Sequence, residues 1–178
     1  MTTAMRILVV CLASATLAGC GGGNPRVGAR VISPFGALTS AEGKQRFYGP
    51  NIGIDLAAAV GTPVLAAADG LVWSIGNDGP CGTVIVLAHE SFGTEGFLTR
   101  YCHLSVVRAA HQMRVRRGEL IALTGTSGQK PTIGFEHLHF ELRRGWDAID
   151  PTPFIGGCFE QGQTYSTNRL VLTYPLAC

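Results

Sequence analysis

The chain has 178 residues, enough for one hydrophobic core and with no need for a second domain. The formal net charge is only +2, and the group of Arg114, Arg116 and Arg117 is too small for the basic stripe of a nucleic-acid-binding protein. We therefore exclude that class and interpret the arginines as a solvated edge. With 24 glycines, 9 prolines and short apolar runs, the composition favours β-structure with many turns.

The N-terminus carries the pattern of an export signal. Arg6 supplies a positive charge, and Ile7 to Thr16 form an apolar stretch too short to span a bilayer, which takes about 20 residues. The stretch ends in Leu17-Ala18-Gly19-Cys20, which resembles the lipobox of bacterial lipoproteins. The resemblance implies cleavage before Cys20 and attachment of diacylglycerol to its sulfur. An ordinary secretory signal with a coincidental cysteine is the alternative.

The residues that follow agree with a lipid anchor. Gly21-Gly22-Gly23-Asn24-Pro25 is a flexible tether, so we assign 1–19 to a signal peptide and 20–29 to the lipidated cysteine and its tether. The acyl chains would hold the protein to a membrane without a transmembrane helix. The residue after the lipidated cysteine is Gly21 and not Asp, which indicates the outer membrane as the destination. The expected location is the cell envelope, lipid-anchored in the outer membrane and facing the periplasm.

The cysteines also fit export. Of six, Cys11 leaves with the signal and Cys20 carries lipid, so four thiols remain. An even number in an oxidising compartment predicts two disulfides. Of three possible pairings we favour Cys81–Cys102, across a predicted hairpin, and Cys158–Cys178, which would make 156–178 a disulfide-pinned extension of one or two strands. A tetra-thiolate zinc site is the alternative, but no CxxC spacing supports it.

From residue 30 onward the sequence reads as short strands separated by turns. Asp69-Gly70 lies between two apolar runs and predicts a β-hairpin, while Ser105 to Arg117 could hold one helical turn. The predicted strands are Arg30–Ile32, Asn51–Leu56, Leu65–Ala68, Leu71–Ile75, Thr83–His89, Phe97–Leu104, Glu119–Thr124 and Glu136–Leu142. The expected fold class is mainly β: a single compact antiparallel β-sheet domain with a groove and few or short helices.

The last predicted strand carries the strongest chemical signal. Read with a period of two, it separates polar from apolar side chains, as a half-buried strand requires. Its two imidazoles lie roughly 6–7 Å apart along the chain, so they could share a metal ion or divide ligand and proton-transfer roles. The polar face has His137, His139 and Glu141, and the apolar face has Leu138, Phe140 and Leu142.

Two other segments supply polar groups of a suitable type. Asp55 follows an alternating run, and His103 is expected beside Tyr101 on one strand face. A carboxylate with several imidazoles is what a catalytic zinc site needs, namely protein ligands, an open position for water and a neighbouring proton acceptor. The remaining histidines, His89 and His111, are interpreted as structural side chains.

The order of these pieces resembles the LytM/lysostaphin family of zinc peptidases, which cut peptide cross-links in bacterial cell walls. The resemblance is colinear over about 30–154 and sets the expected domain at 30–155. Its motifs are Ser33-Pro34-Phe35-Gly36, Asn51-Ile52-Gly53-Ile54-Asp55, Gly61-Thr62-Pro63-Val64, Asp69-Gly70, Tyr101-Cys102-His103-Leu104, Gly125-Thr126-Ser127-Gly128, His137-Leu138-His139-Phe140 and Asp150-Pro151.

The resemblance implies one zinc ion per chain, bound by Asp55 and His139. His103 and His137 would be catalytic, one as general base for the metal-bound water and the other stabilising charge on the carbonyl oxygen. The implied substrate is a peptide of peptidoglycan, lying in a groove between loops such as 37–50 and 129–135. The expected protein is a membrane-anchored zinc metallo-endopeptidase that remodels the cell wall.

One residue departs from the family's pattern. Asn51 stands where the family has its first zinc-ligand His, and an amide oxygen is a much poorer zinc ligand than an imidazole nitrogen. Asn51 could coordinate weakly, or water or a side chain such as His89 could complete the site. Without zinc, the protein would bind peptidoglycan or activate another cell-wall hydrolase. A weaker alternative is a secreted β-domain whose histidines are structural.

Overall fold

The computed structural model describes residues 29–37, 50–92, 95–128 and 136–178. The predicted signal peptide, Cys20 and nearly all of the tether lie outside these residues, as do most of the two loops expected to flank the substrate. Within the described part of the chain, no helix is long and apolar enough to cross a membrane.

The described residues form two antiparallel sheets, of which the larger has eight strands and carries the candidate site. The strands of this sheet are β1 (Val31–Ser33), β2 (Ile54–Ala57), β4 (Gly70–Asn77), β5 (Thr83–Phe92), β6 (Glu95–Tyr101), β8 (Arg114–Val115), β10 (His137–Arg144) and β11 (Asp147–Ile149). Their order is β1-β2-β10-β6-β5-β4-β8, with β11 also paired to β10. The strand that carries His137 and His139, β10, therefore lies between β2 and β6, away from the sheet edges.

The smaller sheet has three strands, in the order β3-β9-β7. These are β3 (Pro63–Leu65), β7 (Leu104–Val107) and β9 (Leu120–Thr124). In the described residues the helical structure is limited to two 3₁₀ turns, Gly79–Cys81 and Thr152–Phe154. The expected mainly β, antiparallel fold with short helices is confirmed.

One hydrophobic core contains side chains from both sheets. The apolar face of β10 is fully buried in it, with the rings of Phe140 and Tyr101 5.2 Å apart between centroids. The predicted alternation of this strand is therefore confirmed, because Leu138, Phe140 and Leu142 are each 0% exposed. Burying these side chains on one face leaves the other face of the strand for the histidines.

Three local predictions were wrong. Asp69-Gly70 does not close a hairpin, because β3 pairs with β9 in the small sheet and β4 pairs with β5 and β8 in the large one. Ser105 to Arg117 contains strand residues of β7 and β8 and no helical turn. The predicted strand Phe97–Leu104 is broken after Tyr101, where His103 takes a positive φ of 60°.

The C-terminal extension packs against the core and forms no strand of its own. The backbone N–H of Thr173 donates to the carbonyl oxygen of Ala67 at 2.8 Å, and Leu172 is fully buried. The expected extra strand is reduced to a single bridge between Ile155 and Leu172. The structure contains both expected disulfides, Cys81–Cys102 and Cys158–Cys178.

Candidate metal and catalytic site

Two adjacent strands bring Asp55 and His139 together. In the antiparallel pairing of β2 with β10, Asp55 lies directly opposite His139, and His137 lies opposite Ala57. Side chains of directly opposed residues share one face of the sheet, with their Cβ atoms about 4.5–5.5 Å apart. The register of one strand pair therefore places the carboxylate against both imidazoles.

The side chains meet at one carboxylate oxygen. Oδ1 of Asp55 lies 2.8 Å from Nδ1 of His139 and 3.7 Å from Nε2 of His137. Burial alone would raise the pKa of Asp55, but the hydrogen bond from His139 and the positive charges of the neighbouring histidines outweigh it and lower the pKa. Asp55 therefore stays a carboxylate, the form in which it could bind a metal ion.

His103 reaches the same place from the turn after β6. The centroid of its ring lies 4.9 Å from that of His137 and 6.1 Å from that of His139. Its Nδ1 lies 2.9 Å from the carbonyl oxygen of Ser127. Since a carbonyl can only accept, Nδ1 carries the proton and Nε2 a lone pair. Burial lowers the pKa of His103 to about 4, so the ring is neutral at pH 7.

Glu141 is a member of the site to which the sequence assigned no role. It is 2% exposed and lies on the polar face of β10, with Oε1 3.4 Å from Nε2 of His139. Arg100 donates to both of its oxygens at 3.1 and 3.2 Å, and Nε of Arg143 donates at 2.7 Å. The same period of two that placed the histidines on one face included Glu141 and was the signal for this role.

The carboxylates on either side of His139 determine its protonation. Burial alone would lower the pKa of His139, but hydrogen bonds to Asp55 and Glu141 and the charges of both carboxylates raise it to about 9. Without a metal ion, the ring is an imidazolium that donates from both nitrogens. If a metal ion replaced the proton on Nδ1, Nε2–H could still donate to Glu141, as ligand histidines commonly do to a carboxylate.

The side-chain amide of Asn51 is hydrogen-bonded to Gly53 and Ser33. Its Oδ1 accepts from the backbone N–H of Gly53 at 3.1 Å, and its Nδ2 donates to Oγ of Ser33 at 3.0 Å. Both ends of the amide therefore have local partners. To become a metal ligand, Oδ1 would have to release or share the hydrogen bond from Gly53.

The structure places His89 and His111 outside the site. His89 is on the core face of β5, with Nδ1 2.7 Å from the oxygen of Asp69 and Nε2 2.8 Å from Oγ1 of Thr99. It cannot replace the missing ligand, because its ring lies on the opposite face of the sheet from His139. His111 is exposed, between β7 and β8.

The four cysteines that the structure describes do not form a metal site. Cys81, Cys102 and Glu141 lie close together, but the two sulfurs are bonded to each other and are not free thiolates. The second pair, Cys158 and Cys178, is also bonded. The tetra-thiolate alternative therefore does not apply to this structure.

The donor set of Asp55 and His139 fits zinc in chemical type. Zinc prefers imidazole nitrogen and carboxylate oxygen, and these two side chains present one of each within 2.8 Å. A catalytic zinc site usually has three protein ligands, and the third candidate in this chain is the amide oxygen of Asn51. The residues therefore fit a zinc site with two strong ligands and one weak one.

Comparison with known proteins identifies the family to which this chain belongs. The model of peptidase family M23, a family of zinc metallopeptidases, matches residues 49–151. The DD-carboxypeptidase/endopeptidase Mpg of Neisseria meningitidis is 36% identical over 127 residues, covering 71% of this chain and 27% of Mpg. The murein hydrolase activator NlpD of Escherichia coli is 31% identical over 127 residues, covering 71% of this chain and 29% of NlpD. The chain thus spans less than a third of the length of these relatives.

Solved structures show the same fold. LytU superposes with a TM-score of 0.61 at 31% identity, covering 76% of this chain and 90% of that one. A zinc-containing peptidase from Vibrio cholerae superposes with a TM-score of 0.56 at 30% identity, covering 69% of this chain and 36% of that one. The catalytic domain of lysostaphin from Staphylococcus simulans superposes with a TM-score of 0.60, covering 71% of this chain and 91% of that one. At 24% identity, this similarity is evidence for the fold alone. The chain belongs to peptidase family M23, and the LytM/lysostaphin resemblance of its motifs is confirmed.

Proposed function

We propose that this protein is a zinc-dependent endopeptidase that hydrolyses peptide cross-links of bacterial peptidoglycan and binds its metal weakly. The observation that carries the proposal is the convergence of four side chains at one place on the large sheet. Asp55 and His139 are joined at 2.8 Å, and His137 and His103 are grouped beside them. A domain with purely structural histidines has no need of this grouping around one carboxylate oxygen.

In this proposal Asp55 and His139 hold the metal, with Asn51 as a weak third ligand. Bound zinc would polarise the scissile carbonyl and lower the pKa of a water molecule towards ~7. Glu141 keeps a proton on Nε2 of His139 and so leaves Nδ1 for the metal. The Arg100 and Arg143 side chains in turn keep Glu141 ionised, because their charges and hydrogen bonds lower its pKa against the effect of burial.

The two remaining imidazoles take different roles. We assign His137 as the proton acceptor because its Nε2 lies 3.7 Å from Oδ1 of Asp55, beside the expected position of the metal and its water. To stabilise negative charge on the carbonyl oxygen, His103 would need a proton on Nε2, which its low pKa opposes. His103 instead accepts a hydrogen bond at Nε2 and orients the attacking water or the peptide.

A direct test pairs metal content with wall digestion. The purified protein should take up one zinc ion per chain and release soluble fragments from isolated peptidoglycan sacculi. A chelator or the His137→Ala variant should abolish release, while His111→Ala, an exposed histidine outside the site, should not. Intact sacculi after incubation with fully zinc-loaded protein would refute the proposal.

Asn51 favours a second candidate function. With its amide engaged by Gly53 and Ser33, the domain could lack zinc and act as a non-catalytic module that binds peptidoglycan or activates another hydrolase. The similarity to an activator of murein hydrolases is compatible with this role. Here sacculus binding should survive both chelator and His137→Ala, and adding the protein to a separate wall hydrolase should raise that enzyme's release of fragments.

The location is a separate proposal that rests on the sequence. We propose that lipid on Cys20 anchors the protein in the outer membrane, facing the periplasm, where its domain can reach peptidoglycan. The Cys20→Ser variant should move from the membrane fraction to the soluble envelope fraction. Unchanged fractionation of that variant would exclude the lipid anchor.

A further inference from the structure

His103 has a backbone conformation that is rare for a residue with a side chain. Its φ is 60°, in the left-handed region, where the Cβ atom crowds the backbone. Such a conformation persists only where neighbouring structure enforces it. The contacts around His103 therefore identify what keeps this histidine in the site.

Cys81 holds this turn in two ways. It is bonded through sulfur to Cys102, the residue directly before His103, and its carbonyl oxygen accepts the backbone N–H of His103 at 2.8 Å. Cys102 is fully buried, and its own N–H donates to the oxygen of His139 at 3.0 Å. The turn is thus joined to Cys81 by the disulfide and one hydrogen bond, and to β10 by a second hydrogen bond.

The segment around Cys81 also supports the ring of His103. Gly82, next to Cys81, packs so closely on Ser127 and Gly128 that a Cβ atom at Gly82 would lie 2.3 Å from their backbone. Thr83 N–H donates to Oγ of Ser127 at 2.9 Å. The oxygen of Ser127 then accepts Nδ1–H of His103. The Cys81 turn therefore positions both the backbone of His103 and the acceptor that orients its ring.

We propose that Cys81 and Cys102 are positioning residues, whose disulfide holds His103 in its catalytic orientation. The catalytic consequence rests on the proposed endopeptidase function, but the positioning does not. Asp55 and His139 are held by the pairing of β2 with β10 and do not depend on this bond. Loss of the disulfide should therefore release His103 and leave the metal ligands in place.

The second disulfide provides a matched control. Cys81–Cys102 and Cys158–Cys178 have nearly equal sequence separations, 21 and 20 residues, so the loss of either should have a similar effect on the unfolded chain. Cys158–Cys178 joins two residues of the C-terminal extension. Each of the double variants Cys81→Ala/Cys102→Ala and Cys158→Ala/Cys178→Ala loses one cross-link. Only the first loses the cross-link next to His103, so a change seen in the first variant alone reports the positioning effect.

The first measurement is amide hydrogen exchange of the folded, lipid-free mature protein together with NMR of its histidine rings. In Cys81→Ala/Cys102→Ala, the amide of His103 should exchange at least about 10-fold faster and its ring resonances should shift. The control variant should show neither change. If the folded Cys81→Ala/Cys102→Ala variant keeps wild-type exchange and ring resonances at His103, the proposal is wrong.

The second measurement concerns metal binding and catalysis. Zinc stoichiometry should be unchanged in Cys81→Ala/Cys102→Ala, while kcat falls about 10–100-fold with little change in KM, because the misplaced group acts in the reaction step. A protein that is inactive in all forms refutes the proposed function, but the exchange and NMR results still decide the positioning role.

If the site variant does not fold, reduction of the folded wild-type protein takes its place. Mild reductant followed by alkylation and mass mapping identifies molecules in which Cys81–Cys102 alone is open. Shifted His103 resonances in these molecules support the proposal, and unshifted resonances overturn it.

Discussion

Asp55 and His139 are paired directly across β2 and β10, and their side chains meet with Oδ1 2.8 Å from Nδ1. The backbone hydrogen bonds of two adjacent strands therefore position the two strongest candidate metal ligands. The residues around this pair are held by different contacts. A disulfide-bonded turn positions His103, and two arginines pair with Glu141. The side chain of Asn51 is hydrogen-bonded to Gly53 and Ser33.

Replacing Asn51 by histidine should strengthen zinc binding. An imidazole at this position offers a nitrogen ligand and removes the amide that now bonds to Gly53 and Ser33. We expect zinc to bind on the order of 10–100-fold more tightly, measured by competition with a chromophoric chelator, and release from sacculi to rise at limiting zinc. The Ser33→Ala variant, which removes the hydroxyl partner of Asn51 Nδ2 without adding a ligand, is the control. Equal zinc affinity in Asn51→His and wild type would contradict this expectation.

Replacing Glu141 by glutamine should weaken both zinc binding and the fold. The variant removes a buried charge that pairs with Arg100 and Arg143 and orients His139. We expect zinc affinity to fall about 10–100-fold. The free energy of unfolding should fall by about 3 kcal/mol, because Arg143 loses its carboxylate partner and Arg100 keeps only Asp78.

Zinc titration and urea denaturation of Glu141→Gln check the two effects. Glu90→Gln, an exposed carboxylate on β5, serves as the control. A Glu141→Gln protein as stable as wild type, with unchanged zinc affinity, would show that Glu141 does not position His139.

The metal-free protein should lose stability as the solution becomes alkaline. The folded-state pKa of His139 is about 9, above the ordinary value of 6.5, so the folded state binds the proton more tightly than the unfolded state. The resulting stabilisation is complete below about pH 6.5 and is lost as the pH rises through about 9. Urea denaturation in chelator at pH 6, 7.5 and 9.5 should show this decline, and His139→Gln should reduce it. A flat profile between these pH values would exclude the charged pair with Asp55.

A separate loss of stability should occur in acid. Burial lowers the pKa of His103 to about 4, so the unfolded state binds a proton near pH 6.5 that the folded state refuses. Stability should therefore fall as the pH drops from about 6.5 to about 4. His103→Gln should lack part of this decline, whereas His111→Gln, an exposed histidine, should retain all of it. Denaturation midpoints measured across that range would show whether His103 is buried and neutral.

The alternation of β10 was predictable because a sheet with one buried face imposes a period of two on the sequence. Leu138 and Phe140 are buried, and His139 lies on the other face, as the pattern requires. The pairing of Asp55 with His139 was not readable from spacing alone, because 84 residues separate them. It followed only from the resemblance of ordered motifs to a known family.

The environment of His103 was not predictable from local pattern. Placing it beside Tyr101 on one strand face assumes a continuous strand, and the chain instead turns at His103 with a φ of 60°. Tertiary contacts enforce that turn against the ordinary preference of the residue. The hairpin predicted at Asp69-Gly70 is absent for a similar reason, because the flanking strands β3 and β4 pair with other strands in different sheets.

The buried residues of the C-terminal extension affect how this domain should be expressed. The segment that matches the family ends at residue 151, yet Leu170, Leu172 and Leu176 lie in the core, and Thr173 bonds to the backbone of Ala67. A chain trimmed at that boundary would expose an apolar surface to water and, we expect, aggregate. The useful recombinant fragment therefore runs to Cys178, and an inactive shorter one would say nothing about catalysis.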